Sequence, residues 1–203
     1  MVPAGVFSFS NKVDDKESQM PVKSDQWIID MCRRHRMIEP FEETQIRNGI
    51  SFGVSSYGYD ISLADEFKTL KAGDVEFIDP KNNNDHLFQD VRSDSILIPA
   101  KSFLLARTRE YFRIPRNIIT ICLGKSTYAR SGVVVNVTPF EPEWEGYATI
   151  SLSNTASVPV KVYANEGVAQ LIFLESDQEC LQSYKDKKGK YQAQTSITLS
   201  KSD

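Results

Sequence analysis

A chain of 203 residues with 40% hydrophobic residues and a net charge of −3 at pH 7 has enough apolar material for one sizeable core, so one domain is the default. The mild acidic balance gives no basis for nonspecific nucleic-acid or anionic-membrane binding, which need a basic excess or patch, but it leaves room for a small basic pocket. No apolar run approaches the roughly 18 residues of a membrane helix, and the first twenty residues lack the basic n-region and apolar core of a secretory signal, so a cytoplasmic location is expected.

The residues that usually hold metals are sparse. Cys32, Cys122 and Cys180 are far apart and odd in number, which fits no disulfide framework. There is no CxxC pair, and His35 and His86 stand alone. Zinc sites need three or four clustered ligands, so no zinc is expected.

In chain order, residues 1–22 are polar, lack apolar periodicity and read as a flexible extension. Ser24-Asp25 is an N-cap signal. Trp27, Ile28, Met31 and Cys32 follow at helical spacing, with Arg33, Arg34 and Arg36 at the end that suits the helix dipole. This predicts one amphipathic helix of about three turns that ends before Pro40.

Beyond residue 48 the pattern changes to short strands. Gly53 and Gly58 interrupt the aromatic run Ser51–Asp60. Further β-branched runs lie at 75–78, 96–98, 103–106, 118–122, 133–137, 147–152, 158–163 and 168–174, punctuated by Pro, Gly, Asn and Asp. Such spacing predicts an antiparallel sandwich or barrel spanning residues 23–175. No GxGxxG or Walker loop is present. Residues 176–203 form a polar tail in which Lys interleaves with Tyr and Gln; it reads either as disordered or as a lid over a phosphorylated ligand.

Residues 121–154 hold the most suggestive chemistry. Two strand-like runs flank Gly124-Lys125-Ser126-Thr127-Tyr128-Ala129-Arg130, and an acidic, proline-punctuated loop, 139–146, precedes a third run. Lys, Ser and Arg at one rim suit an anion or phosphate site; an ordinary β-meander with a solvated turn suits the same residues.

The runs Gly124–Arg130 and Asn136-Val137-Thr138-Pro139, the segment Glu141–Gly146, and the segments 38–41, 54–60, 111–116, 163–170 and 189–192 together resemble the dCTP deaminases of the dUTPase-like superfamily. The likeness runs from about Ser24 to Thr198. It implies a mainly β fold, a distorted jelly-roll-like β-barrel with one N-terminal amphipathic helix, assembled as a homotrimer with sites between subunits. It also implies a pyrimidine deoxyribonucleoside triphosphate of the dCTP, dUTP or dTTP type as ligand, with Mg²⁺ carried on the phosphates. The family reaction turns dCTP and water into dUTP and ammonia without zinc: a carboxylate takes a proton from the water that attacks C4 of cytosine. Carried over residue by residue, Ser126 and Arg130 position water and carboxylate. Lys125, Ser126, Thr127, Tyr184, Lys190 and Gln194 contact phosphates. Glu141 and Trp144 lie at the deoxyribose, and Val137, Thr138 and Pro139 read the base edge.

Three positions depart from the family pattern. The family's catalytic Glu follows Thr and an apolar residue in the strand after Trp-Glu-Gly; here Thr149-Ile150-Ser151 puts a serine in its place. A Ser hydroxyl is no useful base near neutral pH unless another group activates it, and no His stands in these motifs. An Arg usual two residues after the Asp of Tyr-Gly-Tyr-Asp is Ser62, and a Gly usual in the tail is Ser196. Two alternatives therefore stand beside the family reaction. One is a nucleotide-binding homologue with impaired catalysis, acting as a sensor or partner subunit. The other is altered pyrophosphatase chemistry on dUTP or dCTP, with Asp60 as the candidate carboxylate.

Overall fold

The computed structural model describes residues 21–71, 73, 77–82 and 84–201. The N-terminal helix α1 (Asp25–His35) opens where the Ser24 side chain accepts from the Trp27 backbone N–H, and it ends in Arg36, at φ 52°. Ile28 and Cys32 point into the core from one face, and the Trp27 ring meets Phe173 at 6.0 Å between centroids. Burying a side chain of this size stabilises by roughly 1.5–3 kcal/mol, so tertiary packing rather than propensity holds the helix.

The strands follow as β1 (Ile38–Glu39), β2 (Gly53–Ser55), β3 (Gly58–Leu70), β4 (Phe88–Arg92), β5 (Ser95–Ile98), β6 (Phe103–Arg113) and β7 (Ile118–Gly124). A four-residue helix, α2 (Ser126–Ala129), then leads to β8 (Val133–Asn136), β9 (Glu145–Asn154), β10 (Val160–Tyr163) and β11 (Gly167–Glu175). One antiparallel sheet runs in the order β7-β11-β3-β6-β9-β8, with β1 added to β6 and with β2 and β4 added to β3. Strands β5 and β10 form a separate ribbon. The ends of the main path approach each other: a Cβ placed on Gly124 of β7 would lie 3.1 Å from Val135 Cγ2 of β8. The sheet is thus a nearly closed barrel, as the sequence predicts, around Tyr59, Phe67, Leu104, Phe112, Ile118 and Phe173. No helix among the described residues is long and apolar enough to cross a membrane.

Three expectations need correction. The strand expected over 75–78 does not form in its described half: Phe77 and Ile78 are exposed coil, and Val75 and Glu76 lie outside the described residues. The Lys125–Arg130 segment contains α2, so the helix at the N-terminus is not alone. Strands β3 and β6 run far beyond the apolar runs that signalled them. The first seven residues of β3 are buried throughout, which erases alternation. In β6 burial alternates strictly, but arginines fill the outer positions and Glu110 an inner one, so the apolar signal stops at Ala106.

Residues 1–20, the bulk of the expected extension, lie outside the described residues. Its last two residues join the sheet: Val22 bridges Leu174, and Glu175 N donates to Pro21 O at 2.8 Å. The tail from 176 to 201 folds as turns and extended pieces back onto the barrel.

Candidate functional site

A cavity of about 460 Å³ lies between the 137–144 loop, the outer face of β9 and the tail. Its loop wall is rigid for identifiable reasons. Thr120 Oγ1 accepts from Phe140 N at 2.9 Å, and Thr120 N donates to Phe140 O at 3.2 Å. The Phe140 ring packs on Phe112 at 5.2 Å and on Trp144 at 4.8 Å. Ile114 N donates to Trp144 O, and Glu143 N donates to Ile114 O. These contacts present Val137, Thr138, Pro139, Glu141 and the largely buried Trp144 to the cavity.

The floor follows from the two-residue period of strands. Thr149 and Ser151 point outward from β9, with Leu105 of β6 beside them. Ser151 sits between its register partners Asn136 on β8 and Leu105 on β6.

The roof is the tail. Gly146 forms a parallel bridge with Gln194, flanked by Tyr147 N to Gln194 O and Ala193 N to Glu145 O, each 2.9 Å. A Cβ on Gly146, whose φ is 142°, would come within 2.8 Å of Gln194 N, so only glycine lets the tail approach this closely. Trp144 Nε1 donates to Tyr191 O at 2.8 Å, Tyr191 N donates to Tyr184 Oη at 3.0 Å, and Thr198 N donates to Thr149 Oγ1 at 3.0 Å. Tyr184, Tyr191, Gln194, Thr198 and Ser200 therefore face the cavity.

The structure brings together Val137, Thr138, Pro139, Glu141, Trp144, Ser151, Tyr184 and Gln194 on this one cavity. It does not bring Lys125, Ser126, Thr127 or Arg130 there. The Lys125 ammonium lies 2.6 Å from Asp60 Oδ2 and 3.1 Å from Ser51 Oγ, largely shielded from water. Asp60 also accepts from Gln45 Nε2 at 3.0 Å. Ser126 and Thr127 are exposed on α2, and Arg130 turns back to the Ser126 carbonyl at 3.1 Å. Tyr128 anchors α2 from below: it is buried, accepts from Tyr163 N at 3.1 Å, and burial raises its hydroxyl to about 12. Lys190 does not line the cavity either; it donates to Lys201 O at 2.7 Å with its ammonium 5.7 Å from the Tyr191 ring.

Sequence reasoning missed Asn136, Thr149, Tyr191 and Thr198 as cavity residues. Alternation along β9 pairs Thr149 with Ser151 on one face, so that signal was available. Tail placement was not, because it rests on backbone bonds at Glu145 and Tyr147 that leave no side-chain pattern beyond Gly146.

The charges around the cavity are few. Glu141, Tyr184 and Tyr191 are its titratable lining residues, and Glu141 lies 3.4 Å from Lys187. No lining group within the Leu105, Asn136 and Thr149 shell of Ser151 is a base at neutral pH. Glu110 belongs to β6 but points inward, away from Leu105. It accepts from Ser62 Oγ at 2.7 Å and from Ser62 N, and burial pushes its carboxyl up to about 7. A larger groove, about 1000 Å³, runs between β3–β4 and residues 196–201. Most of its charges are spent on one another, Lys68 with Asp85 and Asp90 and Arg92 with Glu66, and Lys201 donates to the Lys190 carbonyl, so the smaller cavity is the better ligand site.

Comparison with known proteins agrees with the motifs. Residues 22–176 match the model of the dCTP deaminase-like family. A protein named dCTP deaminase from Pseudomonas savastanoi pv. phaseolicola is 60% identical over 185 residues, covering 89% of this chain and 98% of its own. One of the same name from Ectopseudomonas mendocina is 58% identical over the same length. In fold, the chain is similar to the crystal structure of 2′-deoxycytidine 5′-triphosphate deaminase from Agrobacterium tumefaciens, with a TM-score of 0.60 at 15% identity over 77% of this chain and 48% of that one. By its motifs, its barrel and these relatives, the chain belongs to the dCTP deaminase family.

Proposed function

We propose that this chain binds a pyrimidine deoxyribonucleoside triphosphate and deaminates dCTP to dUTP and ammonia far more slowly than a relative with a carboxylate at position 151. The observation that carries this reading is the cavity itself. Its wall holds the loop and tail residues matched to the nucleotide-binding motifs, and its floor presents Ser151 with no base beside it. Its volume suits a nucleoside. The relatives' printed name supplies the reaction class.

Water attack on C4 needs a group that removes a proton and returns it to the departing ammonia. Ser151 offers a hydroxyl that can hydrogen-bond water but cannot hold its proton at neutral pH. Ser126 and Arg130 position the water in this reading, and Ser126, Thr127 and Lys190 meet the phosphates, while the Lys125 ammonium is engaged by Asp60 behind them. Glu141 and Trp144 hold the sugar, and the 137–139 backbone reads the base. Mg²⁺ neutralises phosphate charge when bound. The single lining carboxylate, Glu141, fits a cation held by the phosphates rather than by a protein cage.

The α2 group does not line the cavity of its own chain, and this supports a site completed by a second copy within a homotrimer. An unpartnered apolar face supports the same reading. Ile119, Ile121 and Leu123 point outward from β7 at 40%, 43% and 55% exposure, beside the half-buried Ile172 and Leu174 of β11. That face leads directly into α2, so docking on it carries α2 toward a neighbour's cavity. A cytoplasmic nucleotide sensor or partner subunit follows for a chain that binds without turnover. Pyrophosphatase chemistry through Asp60 is disfavoured, because that carboxylate is buried and paired with Lys125.

The test is dCTP turnover with Mg²⁺, products separated, by the unaltered chain and by Ser151→Glu. The reading expects dUTP from Ser151→Glu and little from the unaltered chain. Efficient dUTP formation by the unaltered chain refutes it, and absence of dCTP, dUTP and dTTP binding to either protein refutes the nucleotide assignment.

A further inference from the structure

Arg116 closes the 111–116 segment in the turn between β6 and β7, and none of the site roles above falls on it. Its guanidinium gathers five partners. Nη1 donates to Glu143 Oε2 at 2.6 Å and to Asp186 Oδ2 at 2.9 Å. Nη2 donates to the carbonyls of Cys180 at 3.2 Å and Leu181 at 3.4 Å, and Nε lies 3.6 Å from Glu179. Glu143 belongs to the cavity's loop wall, immediately before Trp144. The other four partners belong to the root of the tail that roofs the cavity.

Glu143 and Asp186 are like charges brought to one point. Without the guanidinium between them they repel, and the repulsion acts directly between wall and roof. The planar fork of Arg suits this bridging, which an ammonium cannot reproduce at several acceptors. Ser183, fully buried, reinforces the joint: its backbone N–H donates to Asp186 Oδ2 at 3.0 Å, and Asp186 N donates to Ser183 Oγ at 3.1 Å. The hydrogen bond from Ser183 and then Arg116 hold the Glu143 carboxyl below the usual range, and the Ser183 backbone and then Arg116 do the same for Asp186.

From the joint, order propagates to the ligand surface. Tyr184 N donates to Pro142 O at 2.9 Å, and Gln192 Nε2 donates to Glu143 O at 3.0 Å. Trp144 Nε1 then holds Tyr191 O. The wall and the roof thus meet first at this joint, which brackets Tyr184 and precedes Tyr191, Gln194, Thr198 and Ser200 in the tail.

We propose that Arg116 is a positioning residue that latches the tail to the Trp144 wall and so sets how fast a ligand leaves the cavity. The ligand arm rests on the nucleotide reading above; the latch itself does not. The experiment compares the full chain with Arg116→Ala and Arg116→Lys. Amide hydrogen exchange is followed at residues 184–198, together with the dissociation rate of dCTP and dTTP with Mg²⁺ and the melting temperature without ligand. For Arg116→Ala the expectation is a roughly tenfold rise in both tail exchange and ligand off-rate, with little change in exchange of β3 and β6. Arg116→Lys gives an intermediate rise. The melting temperature stays within about 3 °C, since the bonds are surface-facing. Asp186→Ala, which leaves Arg116 and Glu143 paired, raises tail exchange less than Arg116→Ala and keeps the comparison open if the latter fails to fold. Unchanged tail exchange in Arg116→Ala overturns the latch, as does a rise spread equally over barrel and tail. If tail exchange rises but no nucleotide binds the unaltered chain, the latch stands and the nucleotide reading fails.

Discussion

Ser62 Oγ donates to Glu110 Oε1 at 2.7 Å, and both residues are closed to solvent. The buried Glu110 carboxyl thus faces a hydroxyl rather than a cation. Arg109 acts on it only as a weaker, opposing charge. Burial therefore governs, pushing the Glu110 carboxyl up to about 7.

Stability is expected to fall with rising pH through this group. The folded chain holds the Glu110 proton up to about pH 7, whereas the unfolded chain releases it near the ordinary value of 4.5. Between those values unfolding releases a proton, so each step up in pH favours the unfolded state. The loss approaches about 3 kcal/mol by pH 8. Denaturant unfolding at pH 5 and pH 8 measures it. Glu110→Gln is expected to flatten the dependence, and an equal slope in Glu110→Gln removes Glu110 as its source.

Ser151→Glu is expected to raise dCTP deamination by at least about 10²-fold, the lower range for a positioned acid–base group. Asn136 and Leu105, the register partners of Ser151, leave its side chain on the open cavity face, so the longer carboxylate extends into the cavity. Initial rates of dUTP release measure the gain. No gain with intact dCTP affinity means that another part of the proton-transfer machinery is also missing.

Lys125→Met is expected to destabilise the chain by about 3 kcal/mol, because it strands Asp60 as a buried charge with Gln45 as its remaining partner. Adding Asp60→Asn is expected to recover part of that loss. Chemical unfolding of both single variants and the double variant closes the cycle. Strict additivity of the two losses rules out an energetic coupling between Lys125 and Asp60.

The unaltered chain is expected to sediment as a trimer, and Ile121→Asp with Leu123→Asp to leave a folded monomer. Both side chains project from the solvent face of β7, so the barrel interior is untouched. Sedimentation velocity reads the assembly and circular dichroism the fold. A monomeric unaltered chain, or a trimeric variant, excludes this face as the interface.

Periodicity and capping chemistry act within a few residues, and they determined much of this protein. Ser24 and the Trp27–Cys32 spacing specify α1, and β-branched runs between Gly and Pro specify an antiparallel sandwich or barrel, which the family resemblance narrows to a barrel. The Gly124–Arg130, Asn136–Pro139 and Glu141–Gly146 motifs specify the family, and the unbroken register from Trp144 to Asn154 puts Ser151 where the resemblance expects a carboxylate. The lengths of β3 and β6 escaped because burial on both faces, and arginines on an outer face, hide the alternation. Only the tertiary structure decided how the motif residues divide. It sent Lys125 to Asp60, sixty-five positions away in the chain, and it set Ser151 with Glu141, Trp144, Tyr184 and Gln194 on one cavity. That division depends on which strands pair and where the tail returns. Those are long-range choices made by the summed burial of the barrel and by backbone hydrogen bonds, and no local pattern encodes them.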